Sequence, residues 1–194
     1  YLLSVACARQ FGWIGTQDLL GRLEAMLATL SSLQRHRGHF LNWYDTQTLA
    51  PLLPSYVSTV DSGNLSGHLL AVGQACLELA QAPHDASAAQ RALRASRHRL
   101  VPLLECWPDL AGQQALAQLL AMPDSLPPDP GAEFGRLLQA ASDELAAWQP
   151  ETTELLPMDA TLKPGSHDQL CWLLSDHLAM LRSAWLDAQV RASG

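Results

Sequence analysis

β-Branched aliphatic residues are nearly missing from this 194-residue chain, which has one Ile and six Val against 38 Leu and 28 Ala. Strands favour β-branched side chains and helices favour Leu and Ala, so the imbalance predicts an all-α fold. Charge is also thin. Charged residues make up 16% of the chain and the formal balance is −7. Phosphate backbones and anionic lipids attract a basic surplus, so neither nucleic acid nor membrane is expected as the main partner. No uncharged apolar run reaches the ~18 residues of a membrane span. The longest uncharged stretch, 62–77, is interrupted by Ser, Asn, His, Gln and Gly and reads as a buried helix. There is no Cys-x-x-Cys pair, so Cys7, Cys76, Cys106 and Cys171 are expected to be buried free thiols. Neither a Gly-rich phosphate loop nor a Gly-x-Ser-x-Gly elbow occurs, and His36 and His39 have no further ligand at zinc spacing. No metal and no cofactor is therefore expected. Period-two alternation and internal repeats are absent as well.

The 48% hydrophobic content, in contrast, is enough for a real core and excludes disorder. Helical periodicity predicts about seven helices in antiparallel hairpins. The first residues, Tyr1-Leu2-Leu3-Ser4, already read as mid-helix with no cap before them, which suggests an excerpt of a longer chain. A turn at Gly12–Gly15 leads to a second helix with Thr16 as N-cap and an apolar stripe from Leu19 to Leu33. A long loop follows over 35–59. A third helix is expected from Asp61 or Ser62 to about Gln81, closed by Pro83, and a fourth from Asp85 to Leu100, kinked or ended by Pro102. A short helix runs from Pro108 to Met122, a Pro-rich linker covers 122–131, and helix resumes over 132–148. After a loop at 150–165, Ser166-His167-Asp168-Gln169 opens the last helix as a capping box. Trp107, Trp148, Trp172 and Trp185 are expected in the core, and the arginines at 91, 94, 97 and 99 on a solvated face.

Chemistry concentrates in the loop. A connection of that length in a compact helical protein is uncommon and usually functional. It carries Asn42, Trp43, Tyr44 and Asp45, and Asp61, Ser62 and Asn64 follow at the next helix start. Flat aromatic faces stack on the apolar side of a pyranose while carboxylates and amides take its hydroxyls, so this mixture suits a sugar site. His39 and His68 flank the loop and could bond a sugar hydroxyl. A structural reading is equally open: Trp43 and Tyr44 as plugs under a loop, Asp45 as a turn cap, Asp61 and Ser62 as helix caps. Gly63, Gly67 and Gly73 weaken their helix, which suggests close backbone approach by a neighbour or ligand. Asp45 and Asp61 are the only carboxylate pair in a suitable setting, and neither has the apolar surroundings of a glycosidic acid.

The strings Phe11-Gly12-Trp13-Ile14-Gly15, Arg37-Gly38-His39-Phe40-Leu41-Asn42-Trp43-Tyr44-Asp45-Thr46 and Ser58-Thr59-Val60-Asp61-Ser62-Gly63-Asn64-Leu65 resemble the bacterial cyclic β-1,2-glucan synthases. The closing run from Trp172 to Asp187 also looks like that family. The resemblance covers about 1–80 and 166–190 and does not extend to the middle, 83–165. It implies the start of a glucoamylase-like domain, an (α/α)₆ toroid that closes the glucan ring by transglycosylation. On that view 1–82 supplies opening toroid helices, 83–165 is a variable helical insertion, and 166–194 returns to the toroid. The expected partners are a β-1,2-glucan chain and the remaining domains of the parent polypeptide, with no membrane contact by this segment. Substrate-binding residues would be His39, Asn42, Trp43, Tyr44, Asp45, Asp61, Ser62 and Asn64. The catalytic carboxylates are expected outside this chain. The location implied is a soluble segment on the cytoplasmic side of a bacterial inner-membrane protein. Two alternatives remain: a non-catalytic helical packing module, or part of a related β-glucan hydrolase or phosphorylase.

Overall fold

The structure is a computed structural model that describes residues 1–82, 85–123, 126–127, 130–148 and 166–193. Among these, seven α-helices dominate: α1 (Leu2–Phe11), α2 (Thr16–Ser32), α3 (Thr59–Gln81), α4 (Ser87–Leu104), α5 (Gln114–Leu120), α6 (Ala132–Ala147) and α7 (His167–Ser193). The all-α expectation therefore holds. The exception is a two-residue hairpin, β1 (Arg35–His36) and β2 (His39–Phe40), that alternation did not announce. Its turn residues Arg37 and Gly38 both have positive φ, 53° and 87°, as the tight two-residue hairpin turn with matching twist requires. The expected loop at 150–165 and the Pro83 helix stop lie outside the described residues, as does part of the Pro-rich linker.

The chain divides into two compact units: Tyr1–Arg9 with Asp18–His84, and Gln10–Gln17 with Asp85–Gly194. In the second unit α7 packs on α4 and α6, and α6 packs on α5. Phe134, Leu138, Ala141 and Leu145 recur every three or four residues along α6 and are all buried. Leu170, Leu173, Leu174, Leu178 and Leu181 form the matching stripe of α7. With Leu93, Leu100, Leu116 and Leu119 they make one continuous core.

Polar groups finish this packing. The seven-residue α5 has no cap of its own, and the Glu144 carboxylate on α6 accepts from the N–H groups of Ala115 (3.1 Å) and Leu116 (2.9 Å). Asp187 on α7 accepts from the N–H groups of Thr16 (2.7 Å) and Gln17 (2.8 Å), and Ser183 Oγ accepts from Gly15 N at 2.6 Å. Gly12 (φ 80°) lies so close to Ala88 that a Cβ would fall 2.3 Å from its backbone carbonyl. Ser166 Oγ accepts from Gln169 N at 3.2 Å, one half of the expected capping box.

Several local expectations are corrected. Pro102 does not end α4, which continues to Leu104 with the proline in its last turn. The segment opening at Pro108 is a 3₁₀ helix (Pro108–Gly112) followed by α5, because Gln113 is extended (φ −85°, ψ 94°). All four cysteines are free, but Cys7 and Cys106 are exposed and Cys76 and Cys171 only half-buried. Trp148 is buried in the core and Trp107 and Trp185 pack against it, whereas Trp172 is 55% exposed. Arg97 leaves the solvated arginine face and donates to the Met122 carbonyl.

In the first unit α3 differs most from expectation. Only Val72 of its 23 residues is buried. A Cβ on Gly63, Gly67 or Gly73 would meet nothing within 4 Å, so the described residues offer no close neighbour at these glycines.

Candidate functional site

The loop between β2 and α3 is folded back on itself by its own backbone. Asn42 N donates to Tyr56 O (2.9 Å), Leu52 N to Trp43 O (3.0 Å), and Tyr44 bridges to Pro51 in antiparallel sense. At the far end Asp45 N donates to Ala50 O (2.9 Å) and Leu49 N to Asp45 O (2.9 Å). This pairing gives the polar backbone its partners without regular secondary structure.

Asp45 holds that turn. Its Oδ1 accepts from Gln47 N (3.0 Å), Thr48 N (2.7 Å) and Thr48 Oγ1 (2.8 Å). The hydrogen bonds from Thr48, and then that from Gln47, lower its pKa, so the side chain is held as a carboxylate. Tyr44 anchors the other end, where its hydroxyl accepts from Leu41 N (2.7 Å) and donates to Gln34 O (2.6 Å).

Ser58, not Asp61 or Ser62, is the N-cap of α3. Its hydroxyl accepts from Asp61 N at 3.2 Å, so the helix starts at Thr59 and Asp61 falls in the first turn. This frees the Asp61 carboxylate to face the loop. The surrounding donors and acceptors assign the Asn42 amide with its nitrogen toward Asp61, so that Nδ2 donates to Asp61 Oδ2 at 3.0 Å. The Asn42 side-chain oxygen accepts from Tyr56 Oη at 2.7 Å and also from Trp43 Nε1. One amide thus ties together two aromatic rings and one carboxylate.

Beside this knot lies a groove of about 270 Å³, floored by Leu30, Leu33, Phe40, Leu41 and Leu65 and edged by Asn42, Tyr44, Ser58, Asp61 and Ser62. Of the sequence candidates, Asn42, Tyr44, Asp61 and Ser62 meet at the groove, and Trp43 joins them through Asn42. Trp43 is 64% exposed, so the plug reading does not apply to it. Asp45, Asn64 and the exposed His39 are not among the groove residues. Tyr56 is the participant that sequence reasoning passed over. Its link to Asn42 spans 14 positions and becomes visible only when the loop closes.

An apolar floor with a polar edge and a neighbouring exposed indole can hold a ligand that has both apolar faces and hydroxyls. Among the described residues no group of three metal-ligating side chains occurs, and no helix is long and apolar enough to cross a membrane.

No family model matches the chain. Over 83 residues, 43% of its length, it is 55% identical to the cyclic β-(1,2)-glucan synthase NdvB of Rhizobium meliloti (strain 1021). The matched segment amounts to 3% of that protein's length. The chain is thus, over part of its length, a homologue of a cyclic β-1,2-glucan synthase.

Proposed function

We propose that this chain is a segment of a cyclic β-1,2-glucan synthase and that its groove helps hold a β-1,2-glucan chain during ring closure. The 55% identity to NdvB over 83 residues carries the reading. The loop chemistry supports it, with an exposed indole, a carboxylate and an amide clustered beside an apolar groove. In this role the groove binds and orients glucan and does not break the glycosidic bond. Glycoside chemistry needs a pair of carboxyl groups, and Asp61 is the one carboxylate among the groove residues. The reacting carboxylates are assigned to other parts of the parent polypeptide, whose helices would complete an (α/α)₆ toroid with α1, α2 and α3.

The packing-module reading has its own support in α3, whose Val60, Leu69, Leu70 and Leu77 are exposed. The two roles are compatible if other domains of the parent cover that helix. Substitution in the parent polypeptide separates them. Trp43→Ala or Asp61→Asn is expected to lower ring closure while leaving expression and overall fold intact. Normal cyclisation by both variants would remove the glucan role and leave packing alone.

A further inference from the structure

The loop holds more than a set of candidate sugar contacts. An amide oxygen has two lone pairs, and in Asn42 both are taken, one by the Tyr56 hydroxyl and one by the Trp43 indole N–H. One of its two N–H donors goes to Asp61. The Asn42 oxygen therefore has no acceptor capacity left for a ligand, and it fixes the polar edges of two rings that remain open to solvent. Trp43 is 64% exposed and Tyr56 51% exposed. Tyr44, the other aromatic of the loop, is half-buried and spends its hydroxyl on Leu41 and Gln34.

Resting on the glucan-binding reading, we propose that Trp43 and Tyr56, pinned through Asn42, form a two-ring platform that stacks against the apolar faces of a glucan chain. Asn42 is then a positioning residue and not a sugar ligand, and Tyr44 is loop structure. The physical gain is pre-organisation. Exposed aromatic rings that are already fixed lose little conformational freedom when a sugar face stacks on them. The second main-chain tie, Asn42 N to Tyr56 O at 2.9 Å, holds the two halves of the platform in register. Asp61 is exposed at the side of the platform and keeps acceptor capacity for a sugar hydroxyl beyond its one bond to Asn42.

The test titrates linear β-1,2-glucan into the 194-residue chain by calorimetry, with Tyr56→Ala, Tyr56→Phe, Asn42→Ala and Tyr44→Phe alongside. Tyr56→Ala and Asn42→Ala are expected to weaken binding about tenfold, and Tyr56→Phe, which keeps the ring and loses the pin, about threefold. Tyr44→Phe is expected to stay within about twofold of the parent chain. Without ligand, Asn42→Ala should speed solvent exchange of the Trp43 indole proton, a change that general loop packing would not single out. Wild-type binding with Tyr56→Ala and Tyr56→Phe both unchanged would overturn the platform alone. A wild-type chain that takes no glucan at millimolar concentration would overturn the glucan reading and the platform together.

Discussion

In the second unit Leu100, Leu116, Leu170 and Leu174 are sealed from solvent on three different helices, while in the first the leucine-rich α3 carries Leu69, Leu70 and Leu77 at the surface. Both regions draw on the same Leu- and Ala-rich composition. What differs is where order comes from. The second unit is organised by apolar stripes that find each other, with Glu144 and Asp187 closing helix ends through tertiary contacts. The best-organised part of the first unit is a polar loop, tied by Asn42, Asp45 and Tyr44 beside a groove. Buried apolar residues are concentrated in the second unit, and the chemistry suited to recognition in the first.

The sharpest way to break this contrast is a pair of leucine truncations. Leu174→Ala removes a fully buried side chain and is expected to cost about 2–5 kcal/mol. Leu70, 76% exposed, is expected to cost less than about 0.5 kcal/mol when truncated. Urea unfolding followed by circular dichroism reads both, and equal losses would mean that α3 is covered in solution.

Glycine replacements should differ in sign. Gly12→Ala puts a Cβ 2.3 Å from the Ala88 carbonyl at a positive φ and is expected to destabilise the chain. The conformation alone costs about 1–2 kcal/mol. Gly63→Ala meets open space inside a helix and is expected to stabilise by about 0.5–1 kcal/mol. Thermal unfolding of the two variants decides. Loss of stability in Gly63→Ala would point to a close neighbour at that position.

The loop gives a pH test. The carboxylate of Asp45 has a folded pKa below its unfolded value of about 3.9, so the turn's contribution is full above that value and fades as pH falls through the folded pKa. The Thr48 amide should therefore lose protection from exchange in strong acid, and Asp45→Ala should lose it at neutral pH as well. The smallest effect concerns thiols. Burial, helped by the negative charge of Asp168, pushes the Cys171 pKa up, so iodoacetamide should label it more slowly than the exposed Cys7 and Cys106. Mass spectrometry reads the order, and equal rates would show that α7 opens near Cys171.

The helices were legible because periodicity is local. The stripe of the last helix reads directly from the spacing of Leu170, Leu173, Leu174, Leu178, Leu181, Trp185 and Leu186, of which the first five are buried and the last two half-buried. Features that depend on closure in space were not legible. The start of α3 is not legible locally, because Asp61 looks like a cap although Ser58 occupies that place. Glu144 capping α5 from 28 positions away leaves no local signal. The loop residues Asn42, Trp43, Tyr44 and Asp61 stood out by chemistry, but their division of labour did not. Which aromatic is anchored and which is open follows from the Tyr44 hydroxyl reaching Gln34 and the Tyr56 hydroxyl reaching Asn42. The 62–77 stretch reads as a buried helix because it is uncharged, whereas in the structure only Val72 on α3 is buried.

The most direct test of the central claim is a ¹H–¹⁵N correlation spectrum of the chain with and without linear β-1,2-glucan at millimolar concentration. Dispersed peaks in which the Trp43 indole and the amides of 61–64 shift on titration are the predicted result. A dispersed spectrum that does not respond to the glucan would contradict a preformed sugar groove in this chain.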